Sequence, residues 1–183
     1  METDVEHARH ALVTGATGYV GSRVTAELLE RGWRVRTLSR SREKALTMPW
    51  ADRIVPAGDT AGPGEVEVFE GDADSAEDLA GALAGADVAW YLVHSMGTGT
   101  DFAEREQDMA RTFAAAAEQQ GVGRIVYLGG LHPAGEELSE HLASRVAVGD
   151  ILLSSRVPTA ALQAGVVLGA GSASFIMLRH LSE

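Results

Sequence analysis

The sequence contains no cysteine, and only one of its 183 residues is a lysine, Lys44. Without cysteine, the chain can form neither a disulfide nor a thiolate zinc site. No stretch approaches the ~20 consecutive apolar residues of a membrane-spanning helix. Basic residues are also scarce, since 26 acids against 15 bases give a formal net charge of -11. Such a charge repels phosphate backbones and anionic lipid, so we expect no direct nucleic-acid partner, no membrane span and a cytoplasmic location.

Short apolar runs alternate with segments of helical periodicity along the chain, which predicts βαβ units around a parallel sheet. The runs predict strands at 10–14, 33–39, 66–70, 88–93, 124–128 and 160–168. The predicted helices cover 18–31, 41–50, 75–86, 101–120, 139–155 and 173–181. The fold class is therefore a doubly wound α/β fold of three layers, α/β/α. We expect one domain over residues 1–183.

A glycine motif joins the first strand to the first helix, in the segment TGATGYVG from Thr14 to Gly21. Gly15 allows a tight turn off the strand, Gly18 lets the backbone approach a pyrophosphate, and Gly21 lets the helix pack close to the sheet. The helix N-terminus then offers free N–H groups to the phosphates. The alternative is that the glycines serve only the turn. The strand–turn–helix context favours a dinucleotide site formed by residues of this motif: Gly15, Thr17, Gly18, Tyr19, Val20 and Gly21.

This motif resembles that of the short-chain dehydrogenase/reductase superfamily, in its extended and atypical branches. Two further segments, 91–97 (YLVHSMG) and 169–173 (GAGSA), resemble NmrA-like atypical members. The resemblance implies a dinucleotide-binding Rossmann fold with further cofactor contacts after the third, fourth and fifth strands: Asp72, Ala73, Val93, His94 and Gly129. Related proteins continue into a substrate-binding lobe. We therefore expect residues 1–183 to lack that lobe.

The residues after the second strand bear on the choice of cofactor. NAD sites usually place a carboxylate about 20 residues past the glycines, but here the sequence reads Ser39-Arg40-Ser41-Arg42. A guanidinium at this position suits the 2′-phosphate of NADP(H). We predict that Ser39 and Arg40 bind the cofactor and that NADP(H) is preferred over NAD(H). The alternative is that the arginines are solvated loop charges, and Asp72 likewise could serve only a turn.

The Tyr-x-x-x-Lys pair on which dehydrogenases of this superfamily rely is missing. The residues four positions beyond the three tyrosines are Arg23, Ser95 and Leu131. At the corresponding place in the fifth helix stand His141 and Arg145, which share one helix face. Arg145 is a candidate for bonding the nicotinamide ribose, and His141 is a candidate acid/base. The alternative for His141 is a helix histidine without a catalytic role, and for His94 simple packing.

Two functions remain open from the sequence. The first is an NADP(H)-binding oxidoreductase with a non-standard active site that acts on an unidentified small-molecule substrate. The second is a non-catalytic NmrA-like sensor in which occupancy by the dinucleotide controls a protein partner. We predict no metal site, because the sequence shows no spaced set of histidines and carboxylates.

Overall fold

The computed structural model describes residues 9–94, 100–132 and 138–182. Six parallel strands form one sheet in the order β3-β2-β1-β4-β5-β6. The strands are β1 His10–Thr14, β2 Arg34–Ser39, β3 Val66–Glu70, β4 Val88–Tyr91, β5 Arg124–Gly130 and β6 Thr159–Ala164. The helices are α1 Tyr19–Glu30, α2 Arg42–Ala45, α3 Ala76–Leu83, α4 Thr100–Gln119, α5 Glu140–Leu153 and α6 Ala173–Ser182. The predicted doubly wound α/β fold is confirmed.

The core has two halves, one on each face of the sheet. Successive residues of β1 point to opposite faces: Ala11 and Val13 pack with α1, whereas Leu12 packs against α3, α4 and α5. All three side chains are fully buried. A strand that is apolar on both faces must be covered on both sides, which gives the three layers.

Strand order reverses at β1, since β2 and β3 lie on one side of it and β4 to β6 lie on the other. The register pairs Val13 with Thr37 of β2 and with Trp90 of β4. All strands run the same way, so the loops that leave their carboxyl ends line one edge of the sheet. In open α/β sheets, ligands bind at this edge, at the point where strand order reverses.

Several predicted boundaries were wrong. β4 ends at Tyr91 rather than at residue 93, and β6 ends at Ala164 rather than at residue 168. The predicted helix at 41–50 is a single turn, α2, followed by a short 3₁₀ helix at Ala51–Arg53. β5 continues through Gly129 and Gly130, which pair with β6. For the three strands, an apolar or glycine-rich run failed to mark where strand pairing stops, because pairing is decided by the neighbouring strand.

β6 is an edge strand, and the surface around it is strongly apolar. Leu162 on β6, Leu153 on α5 and Val166 beyond the strand are each more than half exposed. No helix in the described part of the chain is both long and apolar enough to cross a membrane.

Candidate functional site

The turn between β1 and α1 is built so tightly that two of its glycines are required by the fold itself. Gly15 has a φ of 69°, a left-handed conformation that favours glycine. A Cβ there would lie 2.6 Å from the Leu92 carbonyl oxygen. A Cβ on Gly21 would overlap the carbonyl oxygen of Gly15. The turn is thus pressed against the end of β4, and neither position has room for a side chain.

Gly18 is less confined than Gly15 and Gly21, because a side chain there would meet a single backbone atom. The residue is exposed, and a Cβ would meet only the Gly15 carbonyl oxygen, at 3.3 Å. Its φ of -83° and ψ of 170° are open to any residue. The protein's own packing therefore gives little reason for a glycine here. Close approach of a ligand to the backbone gives one.

Gly18 is also the N-cap of α1, and this helix end is unlike those of α3 and α5. No side chain caps it, and its first turn holds no acidic residue. By contrast, Ser75 caps α3 and Ser139 caps α5, and both helices begin with acidic residues. The first amides of a helix have no partner within it. Among these three helices, α1 alone keeps its positive end available for an anion.

On the β2 side of this helix end, the two predicted arginines have different roles. Arg40 is exposed, and its side chain makes no hydrogen bond or ion pair with any residue that the structure describes. Arg42 donates to the Val55 carbonyl at 2.7 Å, so it anchors the chain instead. Ser39 donates its hydroxyl to the Ser41 carbonyl, at 3.0 Å, and shapes the bend that carries Arg40. One unpaired guanidinium therefore stands at the end of β2.

Asp72 and Ala73 follow β3, farther along the same edge. One Asp72 carboxylate oxygen accepts from the Asp74 amide at 3.1 Å, and the Asp72 amide donates to Asp78 at 2.8 Å. Part of the Asp72 carboxylate thus serves the turn, as the alternative interpretation proposed. The side chain is half-buried and its second oxygen makes no hydrogen bond to the described residues. Ala73 packs against the core.

On the other side of the switch point, the predicted site residues His94 and Arg145 come close together. The aliphatic part of Arg145 passes beside Gly130, and the His94 ring lies 6.5 Å from the Tyr127 ring. His94 keeps an exposed surface, but the protein crowding its ring lowers the pKa of the imidazole. The positive charge of Arg145 lowers that pKa further. Val93, just before His94, is half-buried against the core.

The hydroxyl of Tyr127 is engaged by the protein's own backbone. Its hydroxyl donates to the Arg145 carbonyl at 2.9 Å, and burial raises its pKa to about 12. Gly129 is buried in β5, where a Cβ would lie 3.0 Å from the Tyr127 ring. Packing accounts for this glycine, so a cofactor contact by Gly129 stays a prediction.

His141 lies on the exposed side of α5, one turn before Arg145. Its ring makes an edge contact with Phe102 of α4, with 5.4 Å between ring centroids. It is therefore oriented by α4, whereas Arg145 lies beside β5. Between α5 and strands β5 and β6, next to Arg145, opens a cleft of about 130 Å³.

Sequence reasoning missed several contacts that shape this edge. The Thr14 hydroxyl donates to the Trp90 carbonyl and accepts from the Leu92 amide, which fastens the end of β4 to β1. The Arg23 guanidinium lies 4.5 Å from the centre of the Tyr19 ring and donates to the Ala170 carbonyl. The Tyr19 hydroxyl abuts Gly169. Tyr19 thus packs its side chain against the loop after β6, while its backbone amide is one of the first amides of α1, which have no partner within the helix.

The site residues lie in a row that follows strand order. From β3 to β5 come Asp72, Arg40, the glycine turn, His94 and Arg145. Adjacent strands lie ~4.8 Å apart, so the row spans about 19 Å, which suits one extended dinucleotide.

The sequence profile of the NAD(P)H-binding family matches residues 15–164. The chain belongs to this family. Among curated proteins it is similar to a 3-beta-hydroxysteroid dehydrogenase of Mycolicibacterium neoaurum, with 32% identity over 126 residues. That match covers 63% of this chain and 30% of the relative.

Solved structures with a similar fold include the triphenylmethane reductase of Citrobacter sp., at 25% identity and a TM-score of 0.67. The match covers 86% of this chain and 49% of the reductase, which has also been solved in complex with NADP(H). The WbmG enzyme of Bordetella bronchiseptica, in complex with NAD, shares the fold at 18% identity and a TM-score of 0.66; that match covers 88% of this chain and 55% of WbmG. The chain thus spans about half the length of these structures. The resemblance to short-chain dehydrogenases/reductases is confirmed, as is NAD(P)H binding as the family property.

Proposed function

We propose that this protein is an NADP(H)-dependent oxidoreductase of the short-chain type with a non-standard active site. The observation that carries the proposal is the N-terminus of α1. It has no side-chain cap and no acidic residue in its first turn, and it begins at an exposed glycine that the fold confines less than Gly15 or Gly21. These features fit a pyrophosphate, which would accept hydrogen bonds from the first amides of the helix.

The rest of the dinucleotide would then lie along the row of strand ends. Asp72 and Ala73 would flank the adenine, and Arg40 the adenosine ribose. Val93, His94 and Gly129 would lie along the nicotinamide half, and Arg145 would donate to the ribose hydroxyls there. This order follows the order of the strands, with the pyrophosphate at the point where that order reverses.

The preference for NADP(H) rests on Arg40, the unpaired guanidinium at the end of β2. A guanidinium can grip a phosphate through two parallel hydrogen bonds, whereas an NAD site usually offers a carboxylate to the 2′-hydroxyl. The structural neighbours include one protein complexed with NADP(H) and one with NAD, so likeness alone favours neither cofactor.

The nicotinamide supplies or accepts a hydride when it is bound. The protein must then move a proton, and His141 is our candidate for that role. It is exposed at the start of α5, and its ring is oriented by Phe102. Arg145 is unsuited to proton transfer, because a guanidinium stays protonated in proteins. Its proposed task is to hold the ribose. A cytoplasmic location remains our prediction.

The alternative function is a redox sensor that binds the dinucleotide and signals to a protein partner. It is favoured by the missing Tyr-x-x-x-Lys pair and by the buried, hydrogen-bonded state of Tyr127. A sensor needs the cofactor site but no proton donor.

Fluorescence titrations with NADPH and NADH test cofactor choice. One charge-assisted contact contributes about 1.5–3 kcal/mol, so we expect a roughly 10- to 100-fold preference for NADPH. Arg40→Ala should remove most of the preference. The matched control is Arg31→Ala, which deletes another exposed arginine, one that pairs with Glu27 on α1. Equal affinities of the parent protein for both cofactors would refute the NADP(H) preference.

Turnover assays separate the oxidoreductase from the sensor. The panel should contain quinones, simple carbonyls, a triphenylmethane dye and a 3β-hydroxysteroid, the last two chosen from the names of similar proteins. Consumption of NADPH or reduction of NADP⁺ above the background rate supports the enzyme. Tight cofactor binding with no turnover on any member supports the sensor.

A further inference from the structure

A buried carboxylate lies directly behind the proposed nicotinamide end of the site. Glu106 of α4 is only 5% exposed, and Ser144 of α5 is 2% exposed. The Ser144 hydroxyl donates to a Glu106 carboxylate oxygen at 2.7 Å. Burying a carboxylate is costly unless hydrogen bonds compensate for the lost water. A charged residue at this depth therefore calls for an explanation beyond packing.

The residue after Ser144 is Arg145, and it is fixed from the opposite side. The Tyr127 hydroxyl of β5 donates to the Arg145 carbonyl at 2.9 Å. Consecutive residues of α5 are thus held by two largely buried hydrogen bonds, one to a neighbouring helix and one to the sheet. Together they set the rotation of α5 about its axis at the point where Arg145 leaves it.

Rotation matters because Arg145 is long. A side chain tip lies about 5–6 Å from the helix axis, so a 20° rotation moves it by about 2 Å. Hydrogen bonds tolerate only a few tenths of an ångström. A small rotation of α5 relative to α4 would therefore separate the Arg145 guanidinium from any ligand that it holds.

Glu106 and Arg145 also act on the same neighbours. The negative charge of Glu106 raises the pKa of His94 and of Tyr127, whereas the positive charge of Arg145 lowers the pKa of both. The two opposite charges therefore lie within reach of one pair of rings at the ends of β4 and β5.

We propose that Glu106 is a positioning residue for the cofactor site. By holding Ser144, its carboxylate fixes the rotation of α5 that places Arg145 beside Gly130 at the strand ends. This inference rests on the proposed role of Arg145 in binding the nicotinamide ribose, and the test separates the two.

The first measurement is NADPH affinity. We expect Arg145→Ala to weaken binding about 10- to 100-fold. Ser144→Ala keeps every charge but releases α5, and it should weaken binding about 3- to 10-fold. Glu106→Gln should stay within about 3-fold of the parent, because its amide oxygen still accepts from Ser144. The double variant Ser144→Ala/Arg145→Ala should bind NADPH no more weakly than Arg145→Ala alone.

The second measurement is the pKa of His94 by NMR, without cofactor. Among the described residues, the charged and titratable groups that act on this ring are Arg145 from α5, Glu106 from α4 and Tyr127 from β5. In Ser144→Ala the charges are unchanged, so a displaced Arg145 should let the His94 pKa rise toward its value in Arg145→Ala. The matched controls are Ser154→Ala at the C-cap of α5 and Glu118→Gln on the same helix as Glu106. Both are exposed and should change neither readout.

The outcomes are distinct. If Arg145→Ala binds NADPH like the parent, the proposed role of Arg145 in binding the ribose fails. A raised His94 pKa in Ser144→Ala would still support the positioning of Arg145 by Glu106 and Ser144. If Ser144→Ala leaves both affinity and the His94 pKa unchanged while Arg145→Ala changes them, positioning is overturned and the role of Arg145 stands. Positioning would also be overturned if the losses of NADPH affinity caused by Ser144→Ala and Arg145→Ala were additive in the double variant. A Glu106→Gln protein that folds but binds as poorly as Arg145→Ala would contradict positioning through Ser144.

Discussion

Gly18 and Gly21, in the turn after β1, should respond differently to alanine, and the response of Gly18 tests where the pyrophosphate lies. In Gly18→Ala the new methyl group meets only the Gly15 carbonyl oxygen at 3.3 Å, in a backbone conformation that alanine adopts. The folding cost is therefore the loss of a favourable N-cap residue, about 0.5–1 kcal/mol. At this chain length that corresponds to a fall in Tm of roughly 1–4 °C.

Gly21→Ala should be far worse for the fold. Its methyl group would overlap the Gly15 carbonyl oxygen, so α1 must move away from the turn. Overpacking of this kind costs about 3 kcal/mol or more, which corresponds to a fall in Tm of roughly 6–12 °C. The two variants carry the same added group three residues apart, so each serves as the control for the other.

In Gly18→Ala, the loss of NADPH affinity should exceed what this small folding cost would produce. A methyl group on Gly18 occupies the space where we place the pyrophosphate, and it should weaken NADPH binding at least 10-fold, or about 1.4 kcal/mol. The assays are urea denaturation followed by tryptophan fluorescence and calorimetric titration with NADPH. A Gly18→Ala protein that binds NADPH as tightly as the parent would refute a pyrophosphate at this helix end.

Three further changes test other parts of the structure. His141→Ala should lower turnover by roughly 10²–10⁴-fold with less than a 2-fold change in NADPH affinity if the histidine transfers the proton; unchanged turnover on an active substrate would exclude that role. Burial lowers the pKa of His10 below 6.5, so the unfolded chain takes up this proton first and stability should fall as pH drops below about 6.5. His10→Gln should reduce the fall in Tm between pH 7 and 5, whereas the control His180→Gln, at an exposed residue, should not. If Tm falls equally with pH in the parent and in His10→Gln, His10 is not the group responsible. Ser75→Ala should lower the free energy of unfolding by about 1 kcal/mol, because the Ser75 hydroxyl accepts from the Asp78 amide at 3.2 Å. The control Ser41→Ala, at a helix start without such a bond, should leave the Tm nearly unchanged.

The sequence alone determined the fold class and the position of the glycine turn after β1. Alternation of apolar runs with helical periodicity is a local signal, and it is strong where a strand such as β1 is buried on both faces. The glycine motif was informative for the same reason, since strand, turn and helix follow one another directly in the chain. The cap at Ser75 was also local, with its amide partner three residues away.

Strand ends were predicted less well. The apolar residues beyond β6, such as Val166 and Leu168, suggested a longer strand, but they lie outside the sheet and are exposed. Hydrophobicity indicates that a segment could pair with a neighbouring strand. It does not indicate where that neighbour, β5, stops, and β5 ends at Gly130.

Only the tertiary structure could distinguish the members of the site. It showed that the protein itself confines Gly15 and Gly21 more than Gly18, because the confining atoms belong to the turn's own folded shape and to β4. It separated Arg40 from Arg42, which anchors to the Val55 carbonyl. It also joined Glu106 to Ser144, residues 38 positions apart that meet where α4 packs on α5. No sequence period encodes such a pairing, since it depends on how two helices rotate against one sheet.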